Sequence, residues 1–122
     1  MIKLLDWERA LENVDGSQEL LLELAKLFIE SCPDMISQIR DAIIIGDAPA
    51  LHRAAHNIKG SARIFAAGAV VDDAMRLEAM GAENDLSKAS ECFAALENSV
   101  SQLSAALAER IGRTGAGEKK GL

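Results

Sequence analysis

The chain has 122 residues, 49% of them hydrophobic but only 3% aromatic, and a net charge of −6. That length suits one domain with one modest core, and the acidic balance argues against nucleic acid as a partner. No apolar run approaches the roughly 18 residues that span a bilayer, and the amphipathic, acidic start "MIKLLDWERALE" is not a secretory signal, so a soluble cytoplasmic protein without membrane contact is expected.

In chain order, "LLDWERALENVDGS" reads as a short helix with Asp6 as N-cap and "DGS" as its stop. "SQELLLELAKLFIESCPDMISQIRDAIIIGD" follows as a long helical pattern. Leu20, Leu21, Leu24, Leu27, Phe28, Cys32, Met35, Ile36, Ile39 and Ile43 keep its three-four rhythm. Pro33 is expected to kink or break this helix, and Gly46-Asp47 to end it. Asp47 then caps a third helix running to about Phe65, with Pro49 in its first turn. After the join "AAGAV", a fourth helix carries Val70, Ala74 and Leu77 on one face, and Gly81 is expected to stop it. The last helix is expected to begin near Asp85. Leu86, Ala89, Phe93, Leu96, Val100, Leu103 and Leu107 form its narrow apolar seam. Gly112 should end it, leaving "RTGAGEKKGL" disordered.

No stretch alternates apolar and polar residues with period two, so no strand competes. The prediction is an all-α fold: an up-and-down antiparallel four-helix bundle over residues 1–111, with a short N-terminal helix laid across it and a flexible tail over 112–122. One bundle can bury its seams internally, which favours a monomer, although "AIII" at 42–45 offers an apolar patch for self-association. Cys32 and Cys92 lie sixty residues apart, each in a helical apolar stripe, and read as free thiols.

Charge is unevenly spread. Residues 48–71 hold no acid but contain Arg53, Lys59, Arg63 and both histidines, His52 and His56. The flanking segments are acidic, with ten acids against four bases before this island and nine against six after it. On a helical wheel of about 100° per residue, His52, Lys59, Gly60 and Arg63 all fall within roughly 60° of His56. They form one polar stripe expected to face water, opposite Leu51, Ala54, Ile58 and Phe65. Gly60 is a poor residue for a solvated helix, about 1 kcal/mol worse than alanine. It becomes sensible where another molecule must press against the helix beside His56. A neutral imidazole offers one nitrogen lone pair, which can accept a phosphoryl group and release it again, because a phosphoramidate is a reactive donor. Lys59, one turn on, could stabilise the roughly two negative charges so attached. No acid lies near His56 in sequence, no Ser-His-Asp constellation is visible, and no glycine-rich nucleotide loop appears, so the chain is not expected to phosphorylate itself from ATP.

The segment "AAHNIKGSAR", Ala54 to Arg63, resembles the signature of histidine-containing phosphotransfer domains: His, any residue, an aliphatic residue, Lys, Gly, then Ser or Ala. The resemblance extends over about residues 4–107, with Leu77-Glu78 and Asp85-Leu86 where the family's fourth helix and last turn would put them. It implies a phosphocarrier in a two-component relay, not a stand-alone enzyme. His56 would accept a phosphoryl group from a receiver-domain aspartyl phosphate and pass it to another receiver. Lys59 would stabilise that group, and Gly60 would be the close-approach position. His52, Arg53 and Arg63, together with Met35 and Ile36 near Pro33, are candidates for the docking surface. No cofactor is expected in this chain, since the magnesium belongs to the partner receiver.

Two departures from the family stand out. Ala66-Ala67 occupies positions that often carry Gly-Ala, and Asp73 stands where an apolar residue is common, which suggests a fourth helix rotated or exposed there. Rival readings are the phosphoacceptor domain of a chemotaxis-type or hybrid histidine kinase, an interaction-only bundle, and a metal site on the i, i+4 pair His52 and His56. The last lacks a third ligand, and Arg53 stands where a zincin carries glutamate.

Overall fold

The computed structural model describes residues 3–120, with side chains described through Arg113. Five helices appear: α1 (Trp7–Asn13), α2 (Gln18–Ile45), α3 (Ala48–Ile64), α4 (Gly68–Glu83) and α5 (Ala89–Lys120). No strand occurs among the described residues. α2 packs on α3 and α5, and α4 packs on α3 and α5, so the four long helices close into a ring. Their seams meet in a core whose largest members include Phe65, Leu21, Ile39, Leu51, Ile58, Leu77, Leu96 and Leu103. The Phe28 and Phe65 rings meet edge to face at 5.6 Å. The all-α four-helix bundle expected from the periodicity is the observed fold.

The two expected caps, Asp6 and Asp47, form, and Ser17 adds a third. Asp6 accepts from the Arg9 N–H at 3.1 Å, Ser17 from Leu20 at 3.2 Å and Asp47 from Ala50 at 3.1 Å, each satisfying a helix-start donor that has no intrahelical partner. Gly46 takes the left-handed conformation, φ 81°, that ends α2. α1 lies over the end of the bundle where α3 turns into α4. Asn13 Nδ2 donates to the Ile64 carbonyl at 3.0 Å, the Asp6 N–H to the Phe65 carbonyl at 3.3 Å and the Ala69 N–H to the Lys3 carbonyl at 3.1 Å. Trp7 is buried beneath Arg110, whose guanidinium lies 5.0 Å from its ring centroid. Both cysteines are free, Cys32 buried and Cys92 half-buried. Burial pushes the Cys32 thiol pKa up, against a weaker pull from the Ser104 hydroxyl.

Several boundaries differ from expectation. Pro33 does not break α2, which runs unbroken for 28 residues. Only one hydrogen bond is lost there, Pro33 faces solvent, and Phe28, Cys32 and Ile39 anchor the helix on both sides. Gly81 is not a stop but a buried residue inside α4, which ends at Asn84 with φ 56°. α5 starts at Ala89 rather than near Asp85, because 85–88 form a turn in which Asp85 accepts from the Ser87 N–H at 3.2 Å. Gly112 keeps a negative φ, and the helical backbone of α5 runs to Lys120. Gly121 and Leu122, the last residues of the expected tail, lie outside the described residues, as do Met1 and Ile2.

The two family departures have local explanations. Asp73 is neither rotated out nor end-exposed. It sits in the α4–α5 seam, accepting from the buried Ser99 hydroxyl at 2.8 Å and pairing with Arg76 at 3.3 Å. Ala66 carries φ 51° at the α3–α4 join, a left-handed conformation that glycine adopts without strain.

Candidate functional site

His56 sits midway along α3, on the flank of that helix that turns toward α4. Leu51, Ala55, Ile58 and Ala62 are all fully buried and hold α3 in the bundle, leaving the His56 ring exposed, with 64% of its side chain accessible. The structure supplies it with an acid from the neighbouring helix. Glu78 Oε2 lies 2.6 Å from His56 Nδ1, and Glu78 Oε1 lies 2.6 Å from Lys59 Nζ. One carboxylate therefore bridges two residues of the α3 stripe.

The Lys59 bond, chiefly, and then the His56 bond hold the Glu78 pKa below the ordinary carboxylate range, against an opposing push from burial. An ionised carboxylate can only accept, so the proton of a neutral His56 ring resides on Nδ1. Nε2 then carries the free lone pair.

Lys59 departs from the sequence expectation. It does not face water but is buried, with 8% of the residue accessible. It lies on the edge of the stripe that α4 covers, and its charge is compensated there by Glu78. Gly60, on the other flank of His56, is exposed, and a Cβ placed on it would meet no atom within 4 Å. Among the described residues, none thus requires a glycine at that position.

The remaining stripe residues divide. His52 is half-buried one turn before His56, their rings stacked at 6.4 Å and 21°. Arg53 and Arg63 are exposed. Arg53 and Asn57 border a groove between α2 and α3 whose far wall includes Gln38, Asp41 and the exposed Ile45. The two α2 docking candidates point different ways. Met35 lines the α2–α3 side with Leu27, Ser61 and Ile64, whereas Ile36 lines the α2–α5 side with Val100 and Ser104, away from His56. Among the described residues no group of three or more His, Cys, Asp or Glu side chains could hold a metal ion, and no helix is long and apolar enough to cross a membrane.

Glu78 is the residue that sequence reasoning missed. It lies 22 positions from His56, and only its helix could be placed, not its partner. The available signal was the acid-free island itself, whose buried cation needs a counter-charge from another helix.

Known proteins share the family pattern and the fold of this chain. The family model of the Hpt domain matches residues 23–106. Among solved structures, the chain is similar to histidine-containing phosphotransfer protein B (HptB) from Pseudomonas aeruginosa PAO1, with 21% identity, 89% of this chain and 95% of that one covered, and a TM-score of 0.82. It is also similar to the HPT domain of an Hpt sensor hybrid histidine kinase from Shewanella, with 15% identity, 90% and 95% covered, and a TM-score of 0.80. At these identities the likeness is one of fold. No curated protein matches the chain.

Proposed function

Because the chain belongs to the Hpt domain family, and is therefore a phosphotransfer carrier of two-component phosphorelays, we propose that His56 is its phosphoacceptor, loaded by one receiver domain and unloaded by another. The observation that carries this reading is the Glu78 carboxylate bridging His56 Nδ1 and Lys59 Nζ beside an exposed imidazole. With the proton on Nδ1, the Nε2 lone pair attacks phosphorus of the receiver's aspartyl phosphate. The N–P bond forms as the P–O bond to the aspartyl carboxyl breaks, and the electron pair leaves with the aspartate. No proton need move. The ring becomes positively charged, and Glu78 stabilises that charge as a buried carboxylate stabilises an imidazolium in a catalytic triad. Lys59 faces the developing phosphoryl charge from the other end of the carboxylate. Return transfer reverses each step.

In this reading the chain contributes no metal and no nucleotide site. Receiver domains carry their aspartate in an acidic, magnesium-binding pocket, which complements the acid-free stripe around His56. Gly60 leaves a flat landing place, with Arg53, Arg63 and His52 around it and Met35 on the adjoining α2 surface. In this reading the carrier works in the cytoplasm as a monomer, and the closure of the core within one chain supports the monomer. Incubation with a phosphorylated receiver domain should give an acid-labile, alkali-stable label that is absent from His56→Gln. A label that persists in that variant refutes the assignment.

A further inference from the structure

The α3–α4 seam is lined by small residues seven apart. Ala48, Ala55 and Ala62 lie on α3, and Ala67, Ala74 and Gly81 run from the N-cap of α4 into its last turns, all six buried. The two helices pack on each other from the join to the far end of α4. Ala67 donates its N–H to the Ala62 carbonyl at 3.2 Å at the join, and Gly81 lies against Ala48 at the far end. The approach at Gly81 is so close that no side chain fits. A Cβ there would lie 2.6 Å from the His52 nitrogen, 2.7 Å from the Ala48 oxygen and 2.9 Å from the His52 Cα. All three are backbone atoms of α3 and cannot rotate aside. Ordinary contact, at about 3.5 Å, would require the helices to part by roughly 1 Å.

The next rung of the same seam is the functional site. Glu78 precedes Gly81 by one turn on the same face of α4, and His56 follows His52 by one turn on α3. Both Glu78 bonds are 2.6 Å long, so a withdrawal of about 1 Å carries them past the usual hydrogen-bond range. We infer that Gly81 is a positioning residue for phosphotransfer: by seating α4 on the α3 backbone at His52, it sets the spacing at which Glu78 reaches His56 and Lys59 together. This inference rests on the reading of His56 as acceptor.

The test compares Gly81→Ala, Glu78→Asp and Leu103→Ala with the wild type, using phosphoramidate as donor so that no receiver has to be identified. Phosphohistidine formation gives the rate, and nitrogen NMR of the His56 ring gives its tautomer. Gly81→Ala should slow labelling about tenfold or more and lose the single Nδ1-protonated form. Glu78→Asp withdraws the carboxylate from the side-chain end with the seam intact and should do the same. Leu103→Ala, a core truncation in α5, should keep the wild-type rate and tautomer although it too lowers stability. A folded Gly81→Ala protein with the wild-type rate and tautomer overturns the inference. Should that variant not fold, a wild-type rate in Glu78→Asp overturns it instead. Labelling that survives in His56→Gln removes the underlying acceptor assignment, a separate failure from that of Gly81.

Discussion

Glu78 Oε2 in α4 meets His56 Nδ1 in α3 at 2.6 Å, across 22 residues of chain. That one contact fixes which ring nitrogen is available, supplies the charge that balances a phosphorylated ring, and ties the acceptor to the most closely packed seam of the bundle. The second oxygen of the same carboxylate holds Lys59 at 2.6 Å, so neither α3 residue is set independently of α4.

Replacing Glu78 by Gln keeps the shape but removes the charge. A charge-assisted hydrogen bond contributes about 1.5–3 kcal/mol, so transfer to His56 should fall roughly tenfold to a hundredfold. The pH dependence of stability should change as well. Because the folded-state pKa of Glu78 lies below the ordinary glutamate value of 4.5, its stabilising effect is fully present above about that pH and is lost as pH falls through the lower folded value. The Glu78→Gln protein should therefore lose less stability on acidification below about pH 4.5 than the wild type does. Urea titrations across that range read it directly, and parallel curves would rule out the pairing.

Lys59→Ala should both slow transfer and destabilise the fold. Lys59 is buried and, among the described residues, shares its counter-ion only with His56. Its removal leaves Glu78 partly buried with one donor fewer, at about 1–3 kcal/mol. Lys59→Met keeps the aliphatic stem and should recover part of the stability but none of the rate. Denaturant midpoints set beside transfer rates for both variants separate the two effects, and equal recovery of both in Lys59→Met would contradict them.

What could be read from the chain, and what could not, follows from how many helices each feature involves. The bundle, the Asp6 and Asp47 caps and the stripe around His56 depend on local periodicity and capping chemistry, which a single helix displays. The burial of Lys59 depends on which flank of that stripe a neighbour covers, and a helical wheel treats both flanks alike. Gly81 looks like a stop because a glycine near a helix end usually is one, and only the crossing with the His52 backbone gives it another role. The seven-residue spacing of Ala48, Ala55 and Ala62 against Ala67, Ala74 and Gly81 is written in the sequence. Its meaning appears once the two helices are known to be antiparallel neighbours.

Gly60 should separate stability from partner binding. None of the described residues occupies the space beside it, so Gly60→Ala should stabilise α3 by about 1 kcal/mol. Gly60→Gln should leave the fold equally stable while placing a long side chain next to His56. Transfer from a phosphorylated receiver domain should then fall at least tenfold, as for a contact obstructed at the centre of an interface. Labelling of Gly60→Gln by phosphoramidate, which is small, should stay near wild type. A receiver that transfers to Gly60→Gln at the normal rate would show that it docks elsewhere.

Ala66→Gly should stabilise the protein. Ala66 holds φ 51° where α3 turns into α4, a conformation that puts its Cβ close to the backbone and is unfavourable by about 1–2 kcal/mol for an L-residue. Glycine removes that strain but loses more backbone freedom on folding, at roughly 0.5–1 kcal/mol. The difference favours glycine by up to about 1.5 kcal/mol, or a melting temperature higher by a few degrees for a domain of this size. The gain should appear as a shifted urea midpoint with an unchanged slope. It should leave phosphotransfer alone, because Ala66 lies at the join and His56 more than two helical turns away on α3. A midpoint that falls would mean that Ala66 adopts a right-handed conformation in solution and that the join is built differently.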